Sequence, residues 1–238
     1  MNQPSGTAPR KVDTSEPLVD HLVVLAESLA DGVRWCEATL GITPGPGGSH
    51  PLMGTHNRLF DISSDSFPGC FCEIIAIDPN AAPTRVDGMR WFDMDDRHLS
   101  EQIHEHGPQL IHLVARVPDL AHAVQTLTGL NIDGGERLRV SRETPRGLLQ
   151  WQITVRADGR RMFHGALPTL IQWGDHHPVN TMAASAVQLL AFEVQHGDPV
   201  HLNEAYAALG LGQLRAQGGE PRLLARLQTP LGVVELSS

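Results

Sequence analysis

Apolar and polar positions alternate in short runs along this chain, and two of the runs share a pattern. Leu18-Val19-Asp20-His21-Leu22-Val23-Val24-Leu25 and Gln109-Leu110-Ile111-His112-Leu113-Val114-Ala115-Arg116 each set one histidine inside an aliphatic stretch. Both read as strands. The two histidines lie 91 residues apart, and the segments after them also repeat. Ser28-Leu29-Ala30 echoes Asp119-Leu120-Ala121, and Thr39-Leu40-Gly41-Ile42 echoes Gly129-Leu130-Asn131-Ile132 one residue out of step. A repeat of this length signals a duplicated supersecondary unit.

The first unit, 18–79, opens with the strand at 18–25. A helix comes next from Ser28, a good N-cap with Asp31 placed to complete a capping box, and Gly41 ends it. Strands are expected at 55–62 and 70–77, the latter apolar on both faces except at Glu73. Pro44-Gly45-Pro46-Gly47-Gly48 is a loop without the Lys-Ser/Thr end of a phosphate loop. Residues 80–108 form a helical insert. There His98, Glu101, His104 and Glu105 sit at helical spacing and read as a solvated face rather than a metal site. The second unit, 109–178, has its helix from Asp119 and strands near 137–141, 148–155 and 167–173. A partial third copy, 179–238, carries Leu190 where the others carry histidine, which marks it as scaffold.

Composition narrows the function. The chain has 238 residues, 41% hydrophobic and 19% charged, enough for a real core. A net charge of -9 argues against binding nucleic acid or an anionic membrane. No apolar run is long enough to span a bilayer. Residues 1–17 are polar and read as a disordered tail rather than a secretory signal. Cys36, Cys70 and Cys72 fit free thiols in a reducing cytoplasm, where they pack as small hydrophobes. The expected partner is a small-molecule substrate, and the expected state a monomer or homodimer.

Three motifs carry a resemblance: Asp20-His21 on the first strand, His50-Pro51-Leu52-Met53-Gly54-Thr55-His56-Asn57 after it, and Trp173-Gly174-Asp175-His176-His177-Pro178 near the end of the second unit. Together with tandem strand–helix–strand–strand–strand units, they resemble the glyoxalase-like family of the vicinal oxygen chelate superfamily, which also holds bleomycin-resistance proteins and extradiol dioxygenases. The resemblance implies an α+β fold of tandem βαβββ modules whose mixed sheets curl into a cup. It also implies a divalent ion (Zn, Ni, Mn or Fe) held by first-strand and last-strand residues of each module. Carried over, the ligands are His21, Glu73, His112 and Gln172.

Glu73 has independent support, because an ionised carboxylate among apolar residues is costly unless paired or metal-bound. Gln172 is a poorer ligand than the carboxylate expected at that position. Glu73 is therefore the remaining general base, with His56, Asn57, Arg58 and Trp151 as substrate-binding candidates. Trp173 reads as core, facing away from Gln172, and His176 and His177 as strand-end caps. The expected function is metal-assisted lyase or isomerase chemistry on a metabolite with vicinal oxygens, the ion acting as Lewis acid. Two alternatives stay open: a metal-free binding protein of the bleomycin-resistance type, or an Fe(II) extradiol-type dioxygenase.

Overall fold

The computed structural model describes residues 11–85, 88–144 and 147–238. The tail reading for residues 1–10 lies outside the described residues. From residue 11 the chain is tied down, with the Val12 N–H donating to Asn180 Oδ1 at 2.8 Å.

The first module comprises β1 (Leu18–Leu25), α1 (Leu29–Leu40), β2 (Ser49–His50), β3 (Thr55–Asp61) and β4 (Phe71–Ile77). Its helix begins and ends where local chemistry dictates. Ser28 is extended and its hydroxyl accepts from the Asp31 N–H, and Gly41 closes the helix at φ 71 with its N–H on Glu37 O. After α2 (Arg97–His106), the second module runs through β5 (Gln109–Arg116), α3 (Leu120–Gly129), β6 (Glu136–Thr144), β7 (Gly147–Val155) and β8 (Thr169–Trp173).

The two modules share one eight-stranded sheet, ordered β2-β3-β4-β1-β5-β8-β7-β6. β1 runs parallel to β4, and β5 parallel to β8. The first strands meet antiparallel at the centre, where His21 lies across from Val114 and Val23 across from His112. The two histidines therefore straddle an approximate twofold, as the duplication requires.

Two bulges break strict alternation along this seam. The pairing passes from Val19–Ala115 to His21–Val114, skipping Asp20, and from Val23–His112 to Val24–Leu110, skipping Ile111. A bulge turns its strand by one residue. Val19 therefore packs with Leu22 and Val24 on one side of the sheet, while Val23 packs with the opposite core and His21 lines the cup. Unbroken alternation would put Val19 and His21 on one face, and the bulge separates them.

The convex face is buried under α1, α3 and a second sheet. That sheet contains β9 (Gln188–His196), β10 (Ala216–Gly218), β11 (Arg222–Thr229) and β12 (Gly232–Ser237), ordered β10-β9-β11-β12, with α4 (Pro199–Ala208) after β9. Cys36, Cys70 and Cys72 lie buried in this core. Desolvation pushes the Cys36 thiol up to about 12 and the other two well above their usual value.

The concave face is covered by the insert. Trp91, Phe92 and Met94 enter the cup, and Leu99 and Ile103 of α2 pack behind them. His98, Glu101, His104 and Glu105 stay on the solvated side. Phe92 and Asp93 sit at φ 61 and 59, left-handed backbone that non-glycine residues adopt at a cost. A latch holds them there. The Arg161 Nε–H donates to Asp93 Oδ2 at 2.9 Å, and Arg161 Nη1 reaches Ile111 O at 2.5 Å.

Candidate functional site

Glu73 sits on β4, beside the central strand β1, buried, with its carboxylate in the cup. Its Oε1 accepts from Asn57 Nδ2 at 2.6 Å. Asn57 lies on the adjacent strand β3 and is oriented from behind, because the Gly48 N–H donates to its Oδ1 at 2.7 Å. The turn comes this close only because Gly47 lacks a side chain, since a Cβ there would lie 2.0 Å from Asn57 O. The other Asn57 N–H points to His50 Nε2 at 3.4 Å, and His50 Nδ1–H donates to Thr55 Oγ1 at 3.1 Å. Burial lowers the His50 pKa to about 4, with the Glu73 charge opposing the shift.

His21 faces Glu73 from β1, with 3.6 Å between Nε2 and Oε2. Its Nδ1–H donates to Asp20 Oδ1 at 2.7 Å, which leaves Nε2 as the ring atom turned towards Glu73. Phe71 stacks on the ring with centroids 4.5 Å apart. Asp20 is fully buried and is the hub of the arrangement. Its Oδ2 accepts from Trp173 Nε1 at 3.0 Å and His177 Nε2–H at 2.9 Å, and Arg116 Nη1 lies 3.8 Å away. Burial alone would raise the Asp20 carboxyl. The His177 charge and the bonds from His177 and His21 outweigh it and hold the group far below the usual carboxylate range. The bulge at Asp20 makes this possible, since consecutive strand residues otherwise point to opposite faces.

The structure brings together some of the expected residues and separates others. His21, Glu73, Asn57 and Trp151 line one cavity. His112 is a neighbour in the fold, but both its nitrogens are engaged. Nδ1–H donates to Gly165 O at 2.9 Å, and Nε2 accepts from the Thr169 N–H at 3.2 Å with Thr169 Oγ1 at 2.9 Å. Burial, with the Arg161 charge, lowers its pKa to about 3. Gln172 faces the helices, and its Oε1 accepts from the Leu120 N–H at 3.0 Å at the start of α3. His56 and Arg58 also alternate away from the cup, since Thr55 and Asn57 are buried while His56 is half-buried and Arg58 exposed. His50, Trp91, Phe92, Arg142 and Trp173 join the cavity instead. Trp173 is thus a cup residue, and His177 braces Asp20 as well as capping the turn after it.

The donors do not fit the ion that the fold family implies. Among the described residues, no group of three or more His, Cys, Asp or Glu side chains is arranged to hold a metal. The second module spends its would-be ligands on structural bonds, His112 on Gly165 and Thr169, Gln172 on α3.

The cavity itself is small, about 40 Å³. That is room for no more than about three waters. It adjoins a wider groove of about 990 Å³, and Leu59, Arg142, Leu149 and Pro178 line both. A ligand of ordinary size would therefore keep only one end in the cup and its bulk in the groove.

A curled α+β sheet built from two βαβββ modules, with buried carboxylate and imidazole side chains in its cup, defines a module pair of the vicinal oxygen chelate superfamily. The model of a family described as the glyoxalase-like domain matches residues 19–210, and the chain belongs to that family. No curated protein matches it. Among solved structures, a hypothetical protein from Staphylococcus aureus is similar at TM-score 0.55 and 12% identity, over 86% of this chain and 87% of that one. Methylmalonyl-CoA epimerase from Mycobacterium tuberculosis is similar at TM-score 0.37 and 14% identity, over 65% of this chain and 85% of that one. At these identities the likenesses concern the fold alone.

Proposed function

We propose that the chain is a proton-transfer enzyme of the isomerase or lyase type. Its substrate would be a small metabolite whose acidic C–H stands beside vicinal oxygens. The observation that carries this reading is the buried Glu73 carboxylate, aimed into the cup opposite His21 Nε2. Glu73 takes the proton as general base. Asn57 fixes the carboxylate through Oε1 and leaves Oε2 towards His21 and the cavity. Asp20 holds the His21 ring through Nδ1, so Nε2 is the atom that exchanges a proton with Glu73 or substrate. No step is assigned to a metal ion, because the residues present do not assemble a ligand set for one.

One observation favours a second reading, a binding protein without chemistry. Three of the four tryptophans, Trp91, Trp151 and Trp173, line the cup, a wall suited to the flat end of a ligand whose bulk lies in the groove. An overall aromatic content of 5% argues against such a wall only until the fold gathers these rings in one place.

Proton NMR in D2O separates the two. The panel is 2-hydroxy acids, 2-oxo acids and hemithioacetals of 2-oxoaldehydes, each with excess chelator. The enzyme reading expects washout of the activated C–H signal for at least one member, slowed about 10²- to 10⁴-fold in Glu73→Gln. Binding without washout across the panel would favour the sequestering protein.

A further inference from the structure

Two buried hydrogen-bond donors in the cup have no partner among the described residues. Arg142 Nη1 and Trp91 Nε1 are both enclosed by protein and bonded to nothing there. An orphaned buried donor is costly, more so when charged. Both residues line the same small cavity as Glu73 and His21. Neither side chain can accept a hydrogen bond, so what completes them must be an acceptor.

Arg142 has a specific position. It stands on β6, in the second module, yet a Cβ on Gly48 of the first module would lie 2.2 Å from its Nη1. The guanidinium therefore crosses the mouth of the cup and rests on the glycine turn that orients Asn57. Its charge is felt at Glu73, but it makes no ion pair within 4.0 Å among the described residues. Burial lowers its pKa, and the Glu73 charge works the other way. A guanidinium stays protonated through such a shift. Arg142 also lines the wide groove. The rest of that groove is mostly apolar or small, with Ile42, Pro46, Leu148, Met182 and Ala184 among its walls.

We infer that Arg142, at the junction of cup and groove, and the Trp91 indole N–H, within the cup, complete their hydrogen bonds on an anion, and that the substrate is a carboxylate with an apolar tail. The planar fork of Arg142 matches a carboxylate, and charge complementarity selects an anion over a neutral head group. The tail lies along the groove, while the carbon next to the carboxylate is held beside Glu73. The last point rests on the proton-transfer reading; the anion site itself does not.

Decanoate and decanol serve as probes that share a tail and differ in the head. Binding to the full chain is followed by calorimetry and by tryptophan fluorescence. Decanoate is expected to bind at least about 10-fold more tightly than decanol, and to lose that advantage in Arg142→Gln. Arg142→Lys, which keeps the charge without the fork, falls between. Glu73→Gln retains decanoate binding, so a failed washout experiment leaves this result intact and the two claims fall separately. Equal affinity for the two probes, undiminished decanoate binding in Arg142→Gln, or no decanoate binding at all would each overturn the inference.

Discussion

Asp20 shows how much one side chain decides. Its carboxylate receives His21, Trp173 and His177 and lies beside Arg116, so it joins both modules while fixing one imidazole. Arg116→Met removes the only guanidinium within 4.0 Å of that buried charge among the described residues. The expected cost is about 3–5 kcal/mol in chemical denaturation. His50 and His112 make stability pH-dependent. Their pKa values fall from 6.5 to about 4 and about 3, so below pH 6.5 the unfolded chain binds protons that the folded chain does not. Stability is then level above about pH 6.5 and declines towards pH 4, by up to about 1.4 kcal/mol per pH unit for each histidine. A His112→Gln variant is expected to show about half that slope in denaturation between about pH 6 and pH 4.5. Of the site, Glu73 was legible because a lone carboxylate in an apolar strand needs a reason. His50 was visible inside a motif, but nothing local said that it would approach Glu73. Arg142 had no signal, since its position depends on a strand and a turn some 94 positions apart in sequence meeting in space.

Strands and helices were legible wherever caps and periodicity agreed, as at Ser28, Gly41 and Asp119. The bulge at Asp20 was not, because nothing in Leu18-Val19-Asp20-His21 distinguishes it from an ordinary strand. Its consequence is that Asp20 and His21 serve the same site. Gln172 was misplaced for a related reason: matching a last-strand position by likeness ignores which face it occupies, and its neighbour Trp173 took the cup. The polar helix of the insert is plain in the sequence, whereas the insert's role comes from Trp91, Phe92 and Met94, which precede that helix in an irregular stretch. The Asp93–Arg161 latch governs how firmly these residues fill the cup. In Asp93→Ala, hydrogen exchange is expected to rise across 88–107 while the central strands β1 and β5 stay protected. The expected loss of stability is about 1–3 kcal/mol.

Duplication built a symmetric scaffold and an asymmetric site. Both modules put a histidine on the first strand, but only the first surrounds it with a carboxylate, an amide and a cavity. The second has turned its histidine into a structural bridge and contributes walls instead, Trp151, Trp173 and Arg142. The four-stranded C-terminal sheet covers the convex face and lends the site nothing directly. The repeat itself was plain in the sequence; the division of labour was not, because it depends on what each histidine touches. That division is tested by comparing C–H washout in D2O, with chelator present, for wild type, Glu73→Gln and Gln172→Met. Wild type and Gln172→Met are expected to exchange a panel acid at similar rates, with Glu73→Gln slower by at least about 10²-fold. Washout that needs an added divalent metal, or that collapses in Gln172→Met as it does in Glu73→Gln, would contradict the account.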